Sequence, residues 1–177
     1  MGASQDNLGF ASNSNGSTNF FYYRDGSALT CTDTASLGSY YYDSDGMYGL
    51  GEYIDYAGYS VASFFTQATD NLGLEYGFSF EDYQAAIDAG MGVLIHVEGH
   101  TMAGIGYDDE GNIILYDTWS TGPHTMAWGG SYSDLRLWGV IVFELAGGTP
   151  VVPVPGAALL ATLGVGCVSW LRKRRAV

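Results

Sequence analysis

The chain has 177 residues, 47% of them hydrophobic and 14% charged, a balance that suits one folded domain with an appendage and excludes a disordered chain. Its formal charge is −13, and Arg172, Lys173, Arg174 and Arg175 cluster at the C-terminus, leaving Arg24 and Arg136 against all 19 acidic residues in the rest of the sequence. A body that acidic repels phosphate backbones, so nucleic acid is excluded as a partner.

Residues 1–18 are rich in Ser, Asn and Gly and read as loop, with no basic region and no apolar run of the kind that makes a signal peptide. Phe20-Phe21-Tyr22-Tyr23 reads as a short strand ending at the Asp25-Gly26 turn. Residues 29–37 are ambiguous. Tyr40 to Gly51 mixes aromatics with turn residues and has no helical period, and its Asp43-Ser44-Asp45-Gly46 has the start of a calcium loop without the later ligands, so it reads as a turn. Val61, Phe64, Phe65, Ala68 and Leu72 recur at intervals of three and four, which predicts a helix closed by Gly73. The next helix is better marked. Ser79 and Asp82 form an S-x-x-D capping box, Tyr83, Ala86 and Ile87 make an apolar stripe, and Gly90 can take the left-handed cap.

The stretch from Val93 to Trp119 organises the rest. Two runs rich in Ile, Val, Leu and Tyr flank the polar turn Asp108-Asp109-Glu110-Gly111-Asn112, which predicts an antiparallel hairpin. With the turn centred on Asp109-Glu110, His100 lies opposite Trp119 and Asp117 opposite Met102. His100 and Asp117 then stand diagonally on one face, roughly 7–8 Å apart at Cα, whereas a slip of one residue sends them to opposite faces. An imidazole held by a carboxylate is the base half of a nucleophilic site. A rival set shares His100: His96, Glu98 and His100 alternate with a strand's period, and two imidazoles and a carboxylate are reasonable zinc or iron ligands, with Asp117 able to join. His124 to Trp128 and Trp138 to Leu145 read as two further strands around the Gly129-Gly130 turn. Helices first and antiparallel strands after argue α+β.

From Gly147 the character changes. Residues 147–156 form a Gly/Pro linker. The apolar run 157–171 is about fifteen residues long, or about twenty from Val151, short to borderline for a spanning helix, and the basic cluster after it would stay cytoplasmic. The three-part order of Pro153-Val154-Pro155-Gly156, apolar run and Arg-rich end resembles the bacterial PEP-CTERM sorting signal, with Val154 where Glu is usual. That resemblance implies export from a Gram-negative cell, an inner-membrane-anchored precursor held by the C-terminal helix, and processing by an exosortase-type enzyme. Pro153, Pro155, Gly156, Arg172, Arg174 and Arg175 would be the signal residues, and the cell surface or extracellular matrix the destination. Such proteins also carry a signal peptide, so the chain is expected to be N-terminally incomplete.

The body resembles the C39-like branch of the papain-like cysteine peptidases. The residues that carry the resemblance are Gly99-His100-Thr101-Met102, Gly104-Ile105-Gly106-Tyr107-Asp108, Tyr116-Asp117-Thr118-Trp119, the run 124–132, and the helix 80–89. It implies a papain-like α+β fold over 1–146, helices packed on an antiparallel sheet, joined by the 147–156 linker to an apolar transmembrane or sorting helix and basic end at 157–177. The implied chemistry is thiolate attack on a peptide carbonyl without a cofactor, His100 being the general base and Asp117 its orienting partner. Cys31-Thr32-Asp33-Thr34-Ala35 echoes the family's Cys-x-Pro-Thr-Ala motif, making Cys31 the candidate nucleophile. Against it, Asp33 would raise the thiol pKa, and no Gln stands shortly upstream for an oxyanion hole. Cys167 falls in the apolar tail, so an intrachain disulfide is not expected. Trp119 would shield the His–Asp pair from water; His124 and Trp128 are given no catalytic role. The expectation is therefore a cysteine-peptidase-like protein, inactive as this chain for want of a thiol, with a peptide or protein as substrate if active. A non-catalytic surface or matrix-binding module with exposed tyrosines is the alternative, and a metal-dependent hydrolase on His96, Glu98 and His100 the third reading.

Overall fold

A computed structural model describes residues 19–147 of the chain. In order they form β1 (Leu29–Thr30), α1 (Cys31–Ser36), α2 (Ser39–Tyr42), α3 (Gly46–Tyr56), β2 (Val61–Ala68), a 3-10 turn (Asp70–Leu72), α4 (Phe80–Asp88), β3 (Gly92–Val97), β4 (His100–Tyr107), β5 (Asn112–Tyr116), β6 (His124–Ala127), β7 (Ser131–Tyr132) and β8 (Leu135–Leu145). The strands make one antiparallel sheet in the order β1-β2-β8-β3-β4-β5-β6, with β7 paired to β8. This is the expected α+β arrangement of helices on an antiparallel sheet.

β8 lies between β2 and β3 and is apolar on both sides. Val140 and Val142 join Tyr83 and Ala86 of α4 in one core. Ile141 packs with Met47 and Ile54 of α3 in the other, where Cys31, Leu94 and Phe143 join the rim. Burial on both faces also explains why β2 was misread as a helix. Phe64 belongs to the α3 core and Phe65 packs against the α4 core, so apolar residues occur on both faces and the strand's period of two is hidden. Pairing with β8 decides the matter: Phe64 lies opposite Phe143, Thr66 opposite Ile141 and Ala68 opposite Gly139. Gly73, expected as a helix cap, instead closes the 3-10 turn at φ 72°.

Two other local expectations change. Residues 20–23 form no strand; their neighbour Asn19 makes an isolated bridge to Asp45. α3 was not expected, although Met47, Leu50 and Ile54 recur at intervals of three and four and form its buried face. Its cap is local too, since the Asp45 side chain accepts from Tyr48 N at 2.8 Å, and the aromatics and glycines around these positions mask the stripe. α4 is better marked. Ser79 and Asp82 cap each other's backbone, and Gly90 sits at φ 73°.

The motif Gly104-Ile105-Gly106 acquires a mechanical meaning. Tyr83 is fully buried, and its hydroxyl donates to the Gly106 carbonyl at 2.8 Å. Its ring lies so close to β4 that a Cβ on Gly104 would stand 2.8 Å from the hydroxyl oxygen. Between these glycines the β4–β5 register shifts at Ile105.

The transmembrane helix is corrected. No helix among the described residues is long and apolar enough to cross a membrane. The longest, α3, has 11 residues, against the roughly 20 a hydrocarbon core requires. The membrane attachment and the inner-membrane-anchored precursor inferred from that helix are withdrawn with it. The stretch to which it was assigned, 157–177, lies outside the described residues, as does the 148–156 part of the linker with Pro153, Pro155 and Gly156.

Gly104→Ala should destabilise the fold by about 1–3 kcal/mol through overpacking against Tyr83. Tyr83→Phe should cost about 1–3 kcal/mol by leaving the Gly106 carbonyl unpaired. Urea unfolding midpoints at constant m-value would measure both.

Candidate functional site

The site is set by the β4–β5 ladder. Ala103 pairs with Tyr116 and Gly104 with Leu115, so the same register carries Met102 opposite Asp117, as the sequence predicts. The hairpin turn lies slightly further along, since Gly106 pairs with Ile114 and Tyr107 with Ile113, and the irregularity at Ile105 absorbs the difference. His100 and Asp117 consequently fall on one face.

They meet, but not side chain to side chain. His100 Nε2 lies 2.5 Å from the backbone carbonyl of Asp117. A carbonyl only accepts, so Nε2 carries the proton, and in the neutral ring Nδ1 holds the lone pair. Trp119 stacks on the same imidazole, ring centroids 4.1 Å apart at 22°, while remaining 54% exposed itself.

The Asp117 carboxylate is buried and otherwise engaged. Oδ1 accepts from the N–H of Trp119 and of Ser120, both at 3.0 Å. Oδ2 accepts the Tyr132 hydroxyl at 2.7 Å and lies 3.2 Å from Ser120 Oγ. These donors, Tyr132 first, hold the carboxyl well below the usual carboxylate range, although its burial works the other way. His124 Nε2 stands 3.8 Å from Oδ2 and 2.8 Å from Ser120 Oγ. Of the two imidazoles near Asp117, the one facing its carboxylate is therefore His124, to which sequence reasoning gave no role. The signal available was its place at the start of β6, across β5 from the hairpin's end.

The rival metal set is not assembled. β3 ends at Val97, and Glu98 and Gly99 form the turn into β4, so the period linking His96, Glu98 and His100 breaks there. His96 lies on the α3 side of the sheet, between Phe20 at 4.0 Å and Trp138 at 5.1 Å, with Nδ1 2.9 Å from Thr101 Oγ1. Its Nε2 is buried without a hydrogen-bond partner, and burial lowers its pKa to about 3. Among the described residues no group of three or more His, Cys, Asp or Glu side chains could hold a metal ion.

Cys31 opens α1, capped by the Thr30 and Asp33 box. Asp33 is thus spent on the cap. Burial first, then the charges of Asp45 and Glu52, push the thiol pKa up. Between β1, which ends at Thr30, and β4 lie β2, β8 and β3, and Thr30 is in the row of Phe65, Val142 and Val93, whereas His100 pairs with Val97 at the other end of β3. At strand spacings near 4.8 Å and rises near 3.3 Å, the backbones of Thr30 and His100 are roughly 20 Å apart. An open depression lined by Tyr23, Arg24, Asp25 and Ser27 includes none of the site residues.

Against known proteins, the model of the Peptidase_C39 like family matches residues 15–152. No curated protein and no solved structure matches the chain. The match supports the peptidase resemblance and lends nothing to the PEP-CTERM one, so the sorting signal and its exosortase-type partner are set aside.

Between about pH 3 and 6.5 a neutral, buried His96 binds fewer protons than the same ring in the unfolded chain. Its stabilising contribution is whole above pH 6.5 and is lost as pH falls toward 3, at up to about 1.4 kcal/mol per pH unit. His96→Phe should flatten the acid dependence of unfolding free energy in that window, as urea titrations at several pH values would show.

Proposed function

This chain belongs to the Peptidase_C39 like family, and from that premise we propose that it is a cysteine-peptidase-like protein that keeps the imidazole half of a Cys-His-Asp site and does not cleave peptides through Cys31. The observation that carries the reading is the separation of the two halves. His100 is oriented as a base should be, its Nε2–H tied to Asp117 and its Nδ1 free to take a proton. The thiol opens a helix, as the family's motif does, yet it follows the edge strand β1, with β2, β8 and β3 between it and β4, and two carboxylates beside it disfavour the thiolate. A general base acts within about 3 Å of the proton it removes, or through one water, and a backbone separation of roughly 20 Å exceeds that reach.

A second reading has one observation in its favour. The outer face of Trp119 and the ring of Tyr116 are exposed at 54% and 45% at the end of the hairpin. Aromatics presented there suit a non-catalytic module that binds a peptide or another polymer. Trp119→Ala would weaken binding of such a ligand and leave thiol reactivity unchanged.

The test is a thiol-reactive peptide probe applied to the purified chain. Cys31 should label no faster than a simple buried thiol, and at the same rate in His100→Ala. A working base would instead make labelling fall by about 10²–10⁴-fold in that variant, and such a fall would sink the proposal.

A further inference from the structure

Asp117 uses different atoms for its two neighbourhoods. Its carbonyl accepts from His100, while both carboxylate oxygens are taken by Trp119, Ser120 and Tyr132, with His124 alongside. A carboxylate offers about four lone-pair positions; three here hold hydrogen bonds, Ser120 Oγ lies 3.2 Å from Oδ2, and the His100 ring bonds to none of them. The carboxylate instead shapes the turn that follows it. Thr118 sits at φ 66°, in the left-handed region that few non-glycine residues adopt, and the backbone leaving it lays Trp119 on His100.

Trp119, Ser120 and His124 all belong to the segment being shaped. Tyr132 comes from outside it. It stands on β7, held to β8 by the Ser131–Arg136 and Tyr132–Leu135 pairs. The turn between those strands contains Ser133 at φ 49° and Asp134 at φ 67°, so two non-glycine residues adopt the left-handed region to bring the tyrosine back beside the hairpin. Its ring lies 6.0 Å from Trp119 and 6.2 Å from His124.

We propose that Tyr132 is a positioning residue for His100. By donating to Asp117 Oδ2 it anchors the 117–120 turn, and the turn presents both the carbonyl that fixes the imidazole proton on Nε2 and the indole that covers the ring. Tyr132 thus sets the tautomer and the accessibility of His100 without touching it. The inference rests on the reading of His100 and Asp117 as a site, and it adds the side chain outside the pair that holds it in register.

The experiment reads His100 in the intact chain by two routes that need no turnover. Imidazole ¹⁵N shifts report which ring nitrogen carries the proton, and diethyl pyrocarbonate modification, located by peptide mapping, reports access to the ring. In the unsubstituted protein His100 should show a protonated Nε2 and slow modification. Tyr132→Phe, which removes one hydroxyl and keeps the ring, should give mixed tautomers and severalfold faster modification at His100, with buried His96 still unmodified. Tyr107→Phe removes another tyrosine–carboxylate bond, the one to Asp88 at 2.8 Å, and should leave His100 unchanged. The proposal is overturned if Tyr132→Phe behaves like Tyr107→Phe, or if the unsubstituted protein carries the proton on Nδ1. Neither readout depends on Cys31, so failure here is distinct from failure of the non-peptidase reading.

Discussion

The antiparallel ladder between β4 and β5 pairs Ala103 with Tyr116 and Gly104 with Leu115, and the arrangement at the His100 end of the sheet follows from it. A strand turns every side chain to the other face on a one-residue slip, so register decides whether His100 and Asp117 meet. The register is held on the same face of the strand, four residues further along. Tyr83 reaches across from α4, fills the space that the missing Cβ of Gly104 leaves, and bonds the Gly106 carbonyl. Between these two glycines Ile105 marks the irregularity that reconciles the hairpin turn with the pairing further along. Packing in the core and geometry at the site are thus one constraint expressed at two places.

At that site the division of labour within Asp117 is the main chemical fact. Sequence reasoning treats a His–Asp pair as imidazole facing carboxylate. Here the main chain orients the imidazole and the carboxylate builds the adjoining turn. A carbonyl fixes a tautomer as firmly as a carboxylate does, but it carries no net charge and stabilises an imidazolium less. The charge of Asp117 is directed toward Ser120, Tyr132 and His124 instead. Cys31 opens α1 after the edge strand β1, with β2, β8 and β3 between it and β4.

What could be read in advance depended on the range of the interactions involved. α4 was legible because its capping box, apolar stripe and terminal glycine are all local. The hairpin was legible because its turn is marked and its arms are rich in strand-favouring residues. β2 was not, since Phe64 and Phe65 serve different cores and mimic a helical spacing. α3 was missed although Met47, Leu50 and Ile54 keep a helical spacing behind the Asp45 cap, because the surrounding tyrosines and glycines read as turn. The placing of His100 and Asp117 on one face was legible through their spacing. The engagement of the carboxylate was not, because Tyr132 arrives from β7, far along the chain, and no local pattern links it to Asp117. His96, Glu98 and His100 show the converse error, a period of two read straight through a turn.

By itself the amino-acid sequence determined the α+β class, the helix at 80–88, the hairpin with its register away from the turn, and the nearness of His100 to Asp117, because caps, turns and residue preferences act over a few residues. Tertiary structure alone decided which atom of Asp117 faces which ring, that His124 and Tyr132 belong beside it, and that Cys31 stands apart. Those outcomes depend on where strands far apart in the chain come to lie, and side-chain spacing along the chain does not encode the distance across a sheet.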